Sequence, residues 1–175
     1  MSEDLGHHPD ALPWAPSPRV RIVLGLLAGV GSTGITVGVG LIGAFLDVDQ
    51  YRPPLDLSGP ILVAPLIIVP GFAAAVLRGR AAVIAITLGA TASPIGASLF
   101  IEGPCLTGVY LMIGLAMFAM FALFFAGLSA LAGAWIGGSR WFERNRLRGA
   151  AALVVVGTIG LIVWIPSVAS LRSCV

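Results

Sequence analysis

Residues 19–49 read RVRIVLGLLAGVGSTGITVGVGLIGAFLDVD, an uncharged run closed by Arg19 and Arg21 on one side and by Asp47 and Asp49 on the other. About 20 apolar residues at ~1.5 Å rise each cross a hydrocarbon core, so residues 22–46 are predicted to be a transmembrane helix. Four further runs repeat the pattern, over about residues 59–77, 81–101, 106–138 and 150–168. The whole chain is 58% hydrophobic and only 10% charged, with a mean hydropathy of +1.01, beyond what a soluble domain of this size keeps in solution. The expected fold class is all-α: a polytopic integral membrane protein, a single bundle of five transmembrane helices.

The 175 residues leave no room for an added soluble domain. Residues 1–20 are expected to form a cytoplasmic Pro-rich tail, in which Pro9, Pro13, Pro16 and Pro18 remove backbone donors and oppose a continuous helix. Residues 21–169 are the five-helix domain and residues 170–175 a short outer-face tail. The first apolar run outlasts the h-region of a secretory signal, so cleavage is not expected. The second run carries Pro60, Pro65 and Pro70 and the third Pro94, predicting two adjacent irregular helices.

Arginine sets the orientation. Every basic residue is Arg, and Arg19, Arg21, Arg78, Arg80, Arg140, Arg144, Arg146 and Arg148 share one side under five spans, leaving Arg52 and Arg172 opposite. The positive-inside rule then predicts a cytoplasmic N-terminus and an outer C-terminus, in the inner membrane of a prokaryote, with Asp47, Asp49, Asp56 and Glu102 outside. The net charge of +2 belongs to these loops, which argues against nucleic acid as a partner.

The first span carries two GxxxG pairs, Gly25 with Gly29 and Gly34 with Gly38. Small residues four apart let another helix approach closely, and Ser32, Thr33 and Thr36 can add interhelical hydrogen bonds. The stripe suits packing inside this bundle or contact with another chain. Cys105 and Cys174, the two cysteines, both fall on the predicted outer face, where they form a disulfide or remain free thiols. No CxxC spacing points to redox catalysis. Trp14 is the natural anchor for the N-terminal tail against a neighbouring subunit.

The spans offer little chemistry. The histidines His7 and His8 lie in the tail beside Asp10, and no Asp, Glu, Lys, Arg or His stands at mid-span, which disfavours haem ligation, intramembrane metals and proton-coupled transport. Thr87, Thr91, Pro94 and Ser98 share one helical face, suited to packing and back-bonding more than to a solute pathway. Met112, Met117, Phe118, Met120, Phe121, Phe124 and Phe125 surround the fourth span and suit lipid contact. Trp135, Trp141 and Trp164 are expected to be interfacial anchors.

These readings lead to a non-catalytic accessory or structural subunit of a larger membrane complex, with no cofactor and with the lipid bilayer and other membrane subunits as partners. The alternative is a small transporter or substrate-binding component for a neutral or apolar solute, using the proline-broken second and third spans. An intramembrane enzyme needs a nucleophile with a base or a metal, and the spans contain no candidate base.

Overall fold

The computed structural model describes residues 16–46, 58–98 and 106–170, and every element among them is helical. The helices are α1 (Pro18–Leu46), α2 (Ser58–Leu77), α3 (Arg80–Ser98), α4 (Leu106–Ile136), the short α5 (Arg140–Arg144) and α6 (Arg146–Ser170). Four stretches are long and apolar enough to cross a membrane: Pro18–Val39, Arg80–Ser98, Met112–Ile136 and Arg146–Ser167. Val63–Leu77 is a shorter apolar helix. This composition fits a membrane protein.

Helix boundaries depart from the sequence reading at two basic segments. α1 starts at Pro18, inside the stretch expected to be extended, because proline is pre-organised for the first helical position and its missing N–H has no partner to lose there. Ser17 precedes it as cap: its carbonyl accepts from the Arg21 N–H at 3.0 Å and its Oγ from the Val20 N–H at 3.4 Å. The Arg140–Arg148 stretch, read as a loop before a span at residue 150, is also largely helical. α5 and α6 occupy it, separated at Asn145, whose N–H bonds back to the Trp141 carbonyl.

α1, α3, α4 and α2 pack in a ring, each against the next, while α6 lies outside the ring against α1 with a smaller contact to α2. Side-chain size is distributed inside out compared with a soluble protein. On α4 Ala119, Ala122, Ala126, Ala130 and Gly133 are buried, as is Gly137 just past its end, whereas Met117, Met120, Phe121, Phe124 and Leu131 are exposed. On α3, Ala82, Ala85, Gly89 and Ala90 face inward while Ile84, Leu88 and Ile95 face out. Water would penalise that arrangement. Lipid does not, because an apolar tail solvates leucine as well as another leucine does, and association then rests on close packing of small residues.

The glycines of α1 form two faces and not one stripe. At about 100° per residue, the five residues from Gly29 to Gly34 turn the helix by about 500°, which places them roughly 140° apart. Gly25 and Gly29 accordingly meet α3: a methyl on Gly25 would lie 2.9 Å from Ala85 Cβ, and one on Gly29 2.7 Å from the Ala90 nitrogen. Gly31, Gly34 and Gly38 meet α6: methyls there would lie 2.6 Å from Gly157 Cα, 2.7 Å from the Gly160 carbonyl carbon and 2.9 Å from Val163 Cγ1. On α2 and α4, a methyl on Gly137 would lie 2.5 Å from the Ala75 oxygen, and one on Gly133 would overlap the Gly71 carbonyl. In all three pairs the contacting numbers rise together, so the glycine contacts join parallel helices.

Larger side chains fill the remaining core. Val76, Leu77, Ile86 and Leu153 pack with Ala28, Ala73, Ala74, Ala82 and Ala130 in one cluster. Leu66, Ala90, Ala122 and Ala126 form a second, flanked by Phe118 and Phe125. Trp164, expected at an interface, is only 9% exposed and belongs to the buried set, whereas Trp135 is 86% and Trp141 62% exposed.

A Gly34→Ala or Gly29→Ala change is expected to destabilise the protein by about 1–3 kcal/mol, the cost of forcing apart closely packed groups. Gly114→Ala, where a methyl meets nothing within 4 Å, is expected to be near neutral. Unfolding midpoints in a mild detergent would check the contrast.

Candidate functional site

Two parts of the bundle concentrate polar chemistry: the proline-interrupted middle and the arginine-bearing end. In the middle, Pro70 of α2 and Pro94 of α3 lie inside their helices and are buried. A proline offers no N–H to the carbonyl four residues back and its ring crowds that turn. In hydrocarbon an unpaired carbonyl costs several kcal/mol, so each break needs a donor from elsewhere.

For α3 the donor comes from α1. Pro94 leaves the Ala90 carbonyl without its helical partner, and Thr33 Oγ1 donates to it at 3.2 Å across the interface. The same hydroxyl lies 3.2 Å from the Gly29 carbonyl of its own helix, so one proton is shared between two acceptors. Ser93 Oγ reaches the Ala90 carbonyl more distantly, at 3.4 Å. On α2 the carbonyl that Pro70 deprives of its helical donor is that of Leu66; Ser129 Oγ of α4 donates instead to the next carbonyl along, that of Ile67, and so adds an interhelical bond beside the break without closing it. Ser129 also lies beside Gly71, where a methyl would lie 2.7 Å from its Oγ. Gly29 and Gly71 therefore allow the approach that brings these hydroxyls within reach.

The other span hydroxyls turn to their own helices. Ser32 Oγ donates to the Gly29 carbonyl at 2.7 Å and Thr36 Oγ1 to the Ser32 carbonyl at 2.9 Å. Thr87, Thr91 and Ser98, predicted to share a face, donate to the Val83, Thr87 and Ile95 carbonyls respectively. Thr158 and Ser167 do the same in α6. Such bonds satisfy a polar group in an apolar surrounding.

At the other part, arginines gather at one end of the bundle. The half-buried Arg21 donates through Nε to the Pro16 carbonyl at 3.0 Å and through Nη1 to the Arg78 carbonyl at 3.4 Å. These bonds tie the start of α1 to the α2–α3 turn. That turn is tight: Arg78 has φ +49° and Gly79 φ +100°, a conformation that favours glycine, and the Gly79 carbonyl accepts the first N–H bonds of α3 from Ala82 and Val83. Gly138, between α4 and α5, lies against the Arg78 guanidinium. Arg19, Arg21, Arg78, Arg80, Arg144 and Arg148 thus belong to the same end.

Of the residues singled out from sequence, Gly25, Gly29, Gly34 and Gly38 line helix contacts as described. Trp14, Cys105, Cys174, His7, His8 and the acidic residues Asp47, Asp49, Asp56 and Glu102 lie outside the described residues. No group of His, Cys, Asp and Glu able to hold a metal occurs among the described residues. Two contributors have no counterpart in the sequence reading, Gly133 with Gly137 and Gly157 with Gly160, and Ser129 is recognisable there only as one of the neutral hydroxyls within the spans. Gly133 and Gly137 carry the same GxxxG spacing as the first span; the bond of Ser129 to α2 depends on which helices are neighbours, which no local spacing records.

The chain matches no protein-family model, no curated protein and no solved structure.

Thr33→Val is expected to cost about 0.5–2 kcal/mol, because it leaves the Ala90 carbonyl short of a donor. In a Pro94→Ala background, where a backbone N–H returns, the same change is expected to cost less. A double-mutant cycle on unfolding in detergent measures that coupling. Gly79→Ala is expected to lower stability by about 1 kcal/mol or more through its positive φ, read from the same unfolding midpoint.

Proposed function

We propose that this protein is a non-catalytic accessory or structural subunit of a larger membrane complex, spanning the inner membrane of a prokaryote five times. α2 supplies the fifth span in this reading: it has 20 residues, enough for about 30 Å of helix. The arginine-bearing end is cytoplasmic by the positive-inside rule. That puts the N-terminus inside and Cys105 and Cys174 outside.

The observation that carries the reading is the use of the span hydroxyls. Ser32, Thr33, Thr36, Thr87, Ser129 and Ser167 donate to carbonyls of the bundle itself, and Thr33 closes the break that Pro94 makes in α3, which a solute site would exploit. Parallel glycine contacts join these helices backbone to backbone. A close-packed scaffold suits an element that supports neighbouring chains. The apolar face of α4, with Met120 73% exposed, supplies surface for lipid or for a partner helix.

Purification from native membrane in mild detergent, followed by mass determination, is expected to show this chain with stoichiometric, stable partners. A monomer that retains a small molecule would overturn the accessory role in favour of binding or transport. For orientation, an impermeant maleimide is expected to label Cys105 and Cys174 from outside intact cells after reduction. Protection of both would reverse the assignment.

A further inference from the structure

At the arginine-bearing end, α2, α5 and α6 enclose a groove of about 240 Å³ lined by Phe72, Val76, Trp141, Phe142, Asn145, Arg148, Gly149 and Ala152. Its floor is apolar and aromatic: Phe72 and Phe142 pack with ring centroids 6.1 Å apart, and Trp141 meets Phe142 edge to face at 4.9 Å. Its rim is basic. Arg148 lines it and is exposed, and Arg144 on α5 is exposed nearby. The fold holds this shape through Asn145, which ends α5 by donating from Nδ2 to the Trp141 carbonyl at 3.1 Å and accepts the Gly149 N–H at 2.9 Å. Gly149 then lets α6 approach α2, since a methyl there would lie 2.7 Å from Val76 Cγ2.

The groove does not end at its rim. On α6, Ala152 is followed at helical spacing by Val155, Ile159 and Ile162, all exposed. On α2, Ile68 lies one turn from Phe72 and is also exposed. An apolar track therefore leads from the basic end along the outer surface of the bundle. A site with cationic donors at one end and an open hydrocarbon track at the other matches an amphiphile with an anionic head. A soluble anion has no use for the track, and a zwitterionic lipid gains less from the arginines.

We propose that this groove binds an anionic glycerophospholipid of the cytoplasmic leaflet, with Arg148 on the headgroup phosphate and the proximal acyl chain against Phe72, Phe142 and Ala152. The assignment rests on the arginine-bearing end lying at the membrane interface, and not on the accessory role, so the two stand or fall separately. Trp141, exposed beside the rim, occupies the headgroup level where indole rings concentrate.

Native mass spectrometry of the detergent-purified full chain tests the assignment by titration with phosphatidylglycerol, phosphatidylcholine and glycerol phosphate. The first phosphatidylglycerol is expected to bind in preference to phosphatidylcholine, and glycerol phosphate is expected not to compete. Arg148→Gln is expected to weaken that first binding by about five-fold, the worth of one arginine at a lipid surface, and Ala152→Trp, at an exposed position on the track, to weaken it as well. Arg19→Gln removes the same charge from the same end outside the groove and is expected to leave it unchanged. Equal binding of the two lipids, equal loss in Arg148→Gln and Arg19→Gln, competition by glycerol phosphate, or a dimer mass that excludes lipid would each overturn the proposal. Unchanged unfolding midpoints in the variants would assign any loss to the groove.

Discussion

The direct approach of one helix backbone to another, through glycine, is the constraint on which the rest of this bundle depends. Among lipid tails, helices gain nothing by hiding leucine, so what brings them together is dispersion between closely fitted surfaces and weak Cα–H contacts to carbonyls. α1 makes such contacts on two sides, to α3 through Gly25 and Gly29 and to α6 through Gly31, Gly34 and Gly38. α2 and α4 repeat the device through Gly71, Gly133 and Gly137. Helix α1 is thereby the shared wall between the ring and α6.

The hydroxyl chemistry follows from that proximity. Threonine and serine are short, and Thr33 and Ser129 reach a neighbouring helix only because glycine has removed the side chains between. For Thr33 the acceptor is available because Pro94 offers no N–H to the Ala90 carbonyl. At the α1–α3 contact glycine, proline and hydroxyl form one coupled device: Pro94 opens the Ala90 carbonyl, Gly29 admits the neighbour, and the Thr33 hydroxyl closes the circuit. Such a donor eases the cost of a proline in a spanning helix, where water is not there to substitute.

The helices and the shared arginine end were legible in the sequence because both depend on composition along the chain, which hydropathy and charge record directly. The terminal detail was less legible. Pro18 and the Arg140–Arg148 segment were read as extended or looped, yet both are compatible with helix, proline at its first position and arginine anywhere in it. The GxxxG pairs of α1 were visible, but their division between two neighbours was not, since it depends on which helices flank α1. Trp164 shows the same limit: position in a span identifies a candidate anchor, but its burial depends on tertiary packing. The groove at the arginine end joins α2 to the α5–α6 segment about 70 positions further along the chain, and no spacing rule links them.

A scaffold built this way makes one claim more basic than any role assigned to it: that α1 touches α3 and α6 backbone to backbone within a bilayer. Solid-state NMR on the protein in liposomes, with ¹³C at glycine Cα, measures this without altering a residue. The account predicts through-space correlations between Gly29 and Gly89 and between Gly31 and Gly160, since a methyl added on Gly89 would lie 3.3 Å from Gly29 Cα and one on Gly160 would overlap Gly31 Cα. Absence of both, with the helices intact, would contradict it and leave the bundle without the contact that organises the other helices.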